Sequence, residues 1–269
     1  MNNKFDDISI HMTSLRESHD RRKKMTDQFS EFGIKNFEFF VTNRVESINP
    51  HIAVISKYPE YCWNLRGVTI THLEMMRHWY LTTNEPYAIF CEDDNDFSTF
   101  KYWNFTIQEF IENLPSDWEC VQLMRYKLPP DMYGPHCHDS ILKIFPGRYW
   151  GTCALMNRGY VKKCLDTHVR GLEIYDLRII THGIYPEPMD PNLIEYVENV
   201  IYLNKGIIYN FPLVTQLSPY ECDTTHKFNL TDIQIDEGKQ IWEINRRCFM
   251  DLWEKHGKSL NLKEALTIS

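Results

Sequence analysis

The chain has 269 residues, 43% hydrophobic and 14% aromatic, with 37 acidic against 29 basic side chains and a formal net charge of -8 at pH 7. This is enough apolar material for one sizeable core, and an acidic balance with scattered Lys and Arg argues against a nucleic-acid surface. No window is apolar for long enough to span a bilayer, and the charged start "MNNKFDDISIHMTSLRESHDRRKKM" is unlike a secretory signal, so a cytoplasmic protein, or one peripheral to a membrane, is expected.

In chain order, "DISIHM" is β-rich, and Ser18 stands where it can cap a helix whose apolar positions Met25, Phe29 and Phe32 recur at four and three residues. Gly33 ends that helix and "NFEFFVT" follows as a strand, the opening of a parallel sheet with crossover helices. "VTITHLEMMRHWYLTT" reads as helical from Thr71, with Thr71 and Glu74 at capping-box spacing, and "YAIFCE" as a buried strand. "KYWNFTIQEFIENL" reads as one helix closed by Pro115, and "ECVQLM" as the next strand. Residues 125–150 read as a loop with a short strand at "ILKIF", and "TCALMNRGYVKKCL" as strand then helix.

From 168 to 230 the pattern is irregular, with short strands expected at "VIYL" and "IIYN". A final helix, "EGKQIWEINRRCFMDLWEKH", sets Ile241, Cys248 and Leu252 with Trp242, Phe249 and Trp253 on an inward stripe and stops at Gly257. It either packs on the core or mediates a homodimer. Eight cysteines without a CxxC spacing read as reduced thiols rather than a disulfide framework. The expected fold class is α/β, one domain over 1–269, with a mixed, mostly parallel sheet flanked by helices and a C-terminal helix. An α/β first half with an irregular second half suits a nucleotide bound beyond strand ends and a second substrate held by the C-terminal part.

Four carboxylates, Glu92, Asp93, Asp94 and Asp96, crowd the end of the "YAIFCE" strand. If extension persists, alternation puts Glu92, Asp94 and Asp96 on one face and Asp93 and Asn95 on the other. Like charges so close raise one another's pKa unless a cation lies between them, and oxygen donors suit a hard divalent ion. Two registers are open, Glu92 with Asp94 or Asp94 with Asp96; an acidic turn without any ligand is the other reading. A two-metal nuclease or phosphatase would need a second acidic cluster, which the sequence lacks. A glycoside hydrolase needs two carboxylates, with no reason for them to be sequence neighbours.

Three blocks carry a resemblance: "SLRESHDRRKKM" with Leu15, Ser18, Arg21 and Arg22; "GVTITHLEMMRHW" with Gly67 and His72; and "AIFCEDD". In their order and spacing they resemble glycosyltransferase family 25, the group of lipooligosaccharide and collagen galactosyltransferases with a GT-A, Rossmann-like fold. "LPSDWECVQL", "WGTCALMNRGYVKKCL", "EPMDPNL" and "FPLVTQ" follow in the family's order, so the likeness spans roughly residues 7 to 216. Val68 and Thr71 stand where the family has Cys and Ser, and Ser14 where Asn is common.

The resemblance implies a metal-dependent, inverting transfer of a hexose, galactose favoured, from a UDP-sugar to the hydroxyl of a glycan, a lipid-linked glycan or a protein. UDP-glucose or UDP-GlcNAc as donor, and a catalytically inactive nucleotide-sugar or glycan-binding homologue, are the alternatives. Residues 1–125 would form the nucleotide-sugar half, 126–236 the acceptor side and 237–257 the C-terminal helix.

The donor would meet Thr13, Ser14, Leu15, Arg21, His72, Glu92 and Asp93. Mn²⁺ or Mg²⁺ would be held by Glu92, Asp94, Asp96 and His226. His72 is otherwise a buried structural histidine, and His226 otherwise an exposed loop residue. Asp190, the expected base for the acceptor hydroxyl, also fits a helix N-cap before Pro191. Trp150 and Gly151 border the sugar or pack in the core, and "HCH" at 136–138 lacks partners at zinc spacing and reads as loop.

Overall fold

A computed structural model describes residues 8–43, 53–55, 63–124, 142–146, 152–177, 197–202, 206–216 and 232–268. Trp150, Gly151, Asp190, His226 and the "HCH" stretch lie outside them. The chain opens with β1 (Ile10–Leu15), α1 (His19–Phe32) and β2 (Phe37–Thr42), then β3 (Ala53–Ile55), α2 (Trp63–Thr82), β4 (Tyr87–Glu92) and β5 (Asn95–Asp96). It continues through a 3-10 turn at Ser98–Tyr102, α3 (Ile107–Glu112), β6 (Cys120–Met124), β7 (Phe145–Pro146), β8 (Ala154–Asn157), α4 (Arg158–His168) and β9 (Ile174–Asp176). The last elements are α5 (Val197–Tyr202), β10 (Ile208–Gln216), α6 (Asp232–His256) and α7 (Leu262–Ala265).

The main sheet has the order β2-β1-β4-β8-β6-β10-β5, with β7 on the flank of β10. β1 is parallel to β2 and β4, β8 lies antiparallel between β4 and β6, and β10 is parallel to β6. Strands β2, β1, β4, β6 and β10 therefore run one way, and β8, β7 and β5 against them. The fold class is α/β, with a mixed, mostly parallel sheet flanked by helices and a C-terminal helix on its face.

Alternation along β4 assigns the two layers. Ile89 and Cys91 face a cluster with Met25 and Phe29 of α1, Phe110 of α3 and Phe249 and Trp253 of α6. Ala88 and Phe90 face Met75, Met76 and Trp79 of α2 with Tyr160 and Cys164 of α4. Each fully buried phenylalanine in this sandwich contributes about 2 kcal/mol of apolar transfer. Trp253 Nε1 donates to Pro212 O at 3.1 Å, so the indole is buried without a stranded donor. Five cysteines, Cys91, Cys120, Cys153, Cys164 and Cys248, are free thiols, in line with the reduced reading. Among the described residues no helix is long and apolar enough to cross a membrane.

Several local expectations are corrected. α2 begins at Trp63, so Thr71 lies mid-helix and its hydroxyl donates to Gly67 O at 2.7 Å rather than capping. The single helix expected over 101–114 is broken, because Thr106 and Glu109 close a reciprocal capping box that starts α3 afresh. The stacked rings of Trp103 and Phe105, 5.3 Å apart, fill the break. Val200, Ile201 and Tyr202 of "VIYL" end helix α5 instead of forming a strand: Val197, Val200 and Ile201 follow the helical period and are buried.

"IIYN" is the start of a nine-residue strand that passes Pro212 through a register shift between Asn210 and Val214. Among the described residues of "ILKIF", 142–145, only Phe145 is in a strand, with Leu142 and Ile144 buried before it. Phe249 and Trp253 of α6 point inward as expected, but Cys248 is exposed. Ser18 occupies the N-cap of α1 without a side-chain cap bond, and Gly33 ends that helix at φ 71°, as expected.

Candidate functional site

β1 and β4 are adjacent and parallel, so Thr13–Leu15 and Glu92 emerge together at the carboxyl edge of the sheet. After Glu92 the chain turns. Asp93 N donates to Thr13 O at 3.1 Å and Asn95 Nδ2 to Glu92 O at 2.8 Å, and β5 then pairs antiparallel with β10. The turn ends the strand alternation expected beyond Glu92, so Glu92, Asp94 and Asp96 do not share one face.

Asp96 points to a different set of partners. Its Oδ2 takes Arg246 of α6 in an ion pair, with Nε at 3.1 Å, and its Oδ1 accepts from Ser98 N at 2.9 Å, the Ser98 hydroxyl and Gln28 Nε2 at 2.8 Å. Burial pushes this carboxyl up, but the Ser98 hydrogen bond and Arg246 outweigh it and hold it below the usual range. Both oxygens are engaged in structure, so Arg246, Ser98 and Gln28 occupy the carboxylate that the sequence offers as a metal ligand.

The other three carboxylates stay together. Asp93 Oδ1 lies 3.4 Å from Arg21 Nη1, on the first turn of α1. Burial raises its pKa, opposed by the Ser14 hydroxyl, Arg21 and Arg22. Glu92 Oε1 is 3.4 Å from His72 Nε2, which is in turn 3.5 Å from the Thr13 hydroxyl. Burial first, then the Asp93 charge, raise Glu92 to about 7 against Arg21 and Thr152.

Asp94 is 2% exposed; its Oδ2 accepts from Gln216 Nε2 at 2.7 Å. Burial and then the Glu92 and Asp93 charges push it up to about 7. Acidic groups so raised by burial and like charge at a strand end mark a site poised for a positive partner.

The two arginines divide their work. Arg21 faces Asp93, whereas Arg22 donates to Ser14 Oγ at 2.8 Å, to Leu15 O and to Arg16 O at 2.8 Å, tying the β1–α1 loop. Lys23 pairs with Asp27 on the exposed side of α1 at 2.5 Å. Thr13, Ser14, Leu15, Arg21, His72, Glu92, Asp93 and Asp94 are thus brought together. The sequence reading missed Gln216, Gln28 and Arg246; the one signal for Gln216 was a glutamine closing the apolar run "FPLVTQ".

The donor set fits a hard divalent cation in kind, being oxygen throughout. Asp93 Oδ2 and Asp94 Oδ1 are buried without a hydrogen-bond partner. Among the described residues, however, no three His, Cys, Asp or Glu side chains group so as to hold a metal ion by themselves. Compared with protein-family models and with curated protein sequences, the chain matches none.

Proposed function

We propose that the protein is a metal-dependent, inverting glycosyltransferase that moves a hexose, galactose favoured, from a UDP-sugar to an acceptor hydroxyl. One observation carries the reading. The turn Glu92–Asp94, with Asp93 and Asp94 buried, leaves the sheet at the carboxyl end of β4, beside the end of β1 and the Arg21 guanidinium. Ligands of open α/β sheets bind at such edges, and three crowded carboxylates there favour a cation over any neutral ligand.

Mn²⁺ or Mg²⁺ would be held by Asp94 with Glu92 or Asp93, and when bound it offsets the charge that gathers on a departing diphosphate. A cation of this kind commonly rests on one or two carboxylates and completes its shell with substrate phosphates and water. A site without three grouped protein ligands is compatible with that habit.

The end of β1 would receive base and ribose through Thr13, Ser14 and Leu15, and Arg22 keeps this loop in place by holding Ser14, Leu15 and Arg16. His72, 2% exposed and between Thr13 and Glu92, orients the glutamate toward the donor. Asp190 would take the proton of the acceptor hydroxyl, and His226 would add a ligand from the C-terminal half.

The test is UDP release from a panel of UDP-sugars with Mn²⁺, with Mg²⁺ and with EDTA, for the protein as it stands and for Asp94→Ala. Metal-dependent release that Asp94→Ala loses is expected. Binding of UDP-sugar without release under any condition would leave the inactive homologue, and no binding would overturn the donor assignment altogether.

A further inference from the structure

Four buried side-chain atoms without hydrogen-bond partners lie in one short stretch and the residue paired with it: Asp93 Oδ2, Asp94 Oδ1, Asn95 Oδ1 and Gln216 Oε1. All four are acceptors; with the Ser14 hydroxyl serving Asp93, the three on Asp94, Asn95 and Gln216 remain, and a cluster left with bare acceptors is unbalanced in one direction. Two of them belong to amides whose orientation is fixed by the opposite end. Gln216 Nε2 donates to Asp94 Oδ2 at 2.7 Å and Asn95 Nδ2 donates to Glu92 O at 2.8 Å, so in each case the oxygen is the atom without a partner.

The two amides are also neighbours. Gln216 and Asn95 are register partners in the antiparallel β5–β10 ladder, and side chains directly opposite one another share a face. Asn95 is completely buried and Gln216 is 8% exposed, so bulk water is a poor source of the missing donors.

We propose that the amide oxygens of Gln216 and Asn95 join Asp94 Oδ1 as ligands of the divalent cation. The cradle is then made by two strands, β5 and β10, with the turn between β4 and β5. This deepens the glycosyltransferase reading and rests on it for the cation's role, while the cation site itself is argued from the acceptor imbalance. Amide and carboxylate oxygens are the ligand types that Mg²⁺, Mn²⁺ and Ca²⁺ accept. A set with two amides also explains why His, Cys, Asp and Glu side chains alone make no metal group among the described residues. Gln216 has a second role as a positioning residue, because its N–H holds Oδ2 of Asp94 and leaves Oδ1 turned to the vacancy in hydrogen bonding.

The experiment measures Mn²⁺ affinity by the electron paramagnetic resonance of free Mn²⁺, with Mn²⁺ alone and with Mn²⁺ plus UDP. The proteins are the full chain, Gln216→Met and Gln216→Glu, each first shown to be folded by circular dichroism. Gln216→Met removes both donor and acceptor; Gln216→Glu removes the donor but keeps an oxygen. If Gln216 is a ligand, Gln216→Met weakens Mn²⁺ binding at least tenfold and Gln216→Glu binds as tightly as the unchanged protein or more so. If Gln216 only steadies Asp94, both variants weaken alike, and the inference is overturned.

Should Gln216→Met not fold, Gln216→Glu decides, since a tenfold loss there is also the overturning result. Mn²⁺ binding that depends on Gln216 without turnover of any UDP-sugar upholds the cradle and sinks the transferase reading. Mn²⁺-dependent turnover with Mn²⁺ affinity indifferent to Gln216→Met does the reverse.

Discussion

Asp94→Asn should make the metal-free protein more stable at pH 8, although it removes the residue on which function is argued to rest. In the fold the Asp94 carboxyl is displaced from 3.8 to about 7, chiefly by burial and then by Glu92 and Asp93. Three units at 1.36 kcal/mol each give about 4 kcal/mol of unfavourable energy for the ionised form.

Asn keeps the acceptor that Gln216 Nε2 uses and turns an amide toward unpartnered acceptors, so the exchange introduces no new stranded group. After relaxation about 2–4 kcal/mol of stabilisation is expected. Because the folded pKa is raised, the folded state holds the extra proton between pH 3.8 and about 7. The gap between Asn and Asp is therefore full above pH 7 and vanishes as pH falls toward 4.

Urea unfolding in EDTA at pH 8 and pH 4.5 measures it. With Mn²⁺ at a thousand times its Kd the order should reverse, since a ligand at that level adds about 4.1 kcal/mol to the protein that binds it. An Asn variant less stable than the parent at pH 8, or a gap unchanged at pH 4.5, would refute the claim that Asp94 carries uncompensated buried charge.

Other changes test the frame that holds the site. Arg246→Ala strips the ion pair from Asp96, which is 1% exposed, and should cost about 2–3 kcal/mol, Ser98 and Gln28 retaining part of the carboxylate's bonding. A double-mutant cycle with Asp96→Asn that returns less than about 0.5 kcal/mol of coupling would contradict it. Gly257→Ala would set a Cβ 2.7 Å from Tyr102 O and 2.8 Å from Trp253, so thermal unfolding should show a loss of about 1–3 kcal/mol.

Thr106→Ala removes the capping box of α3 and should cost about 1 kcal/mol, with Thr106→Ser recovering most of it. His168 has its pKa lowered by burial against the pull of Asp176, so its contribution is present above pH 6.5 and is lost as pH falls. The stability gap between the parent and His168→Gln should accordingly shrink from pH 7.5 to pH 5.

The acid stretch shows how far spacing alone carries. That Asp94 is the carboxylate to watch follows from sequence, because it belongs to both possible registers; the fold buries it and leaves Oδ1 without a hydrogen-bond partner. That Asp96 pairs with Arg246 could not be read, since that partner is 150 residues away and the two meet only when α6 lies across the 3-10 turn. Gln216 was equally hidden: a polar residue ending an apolar strand is ordinary until β10 pairs with β5 and brings it to Asp94.

Determined by the sequence were the α/β class, the first crossover unit with its glycine stop at Gly33, and the crowding of carboxylates after β4. These are properties of periodicity, backbone preference and neighbouring charge, which act over a few residues. Left to the tertiary structure were the insertion of β8 antiparallel between β4 and β6, the division of the acids into a paired Asp96 and a crowded Glu92–Asp94 turn, and the pairing of β10 with β5 that sets Gln216 beside Asp94. Each depends on which distant segment packs alongside, and that is fixed by burial over the whole core rather than by any local signal.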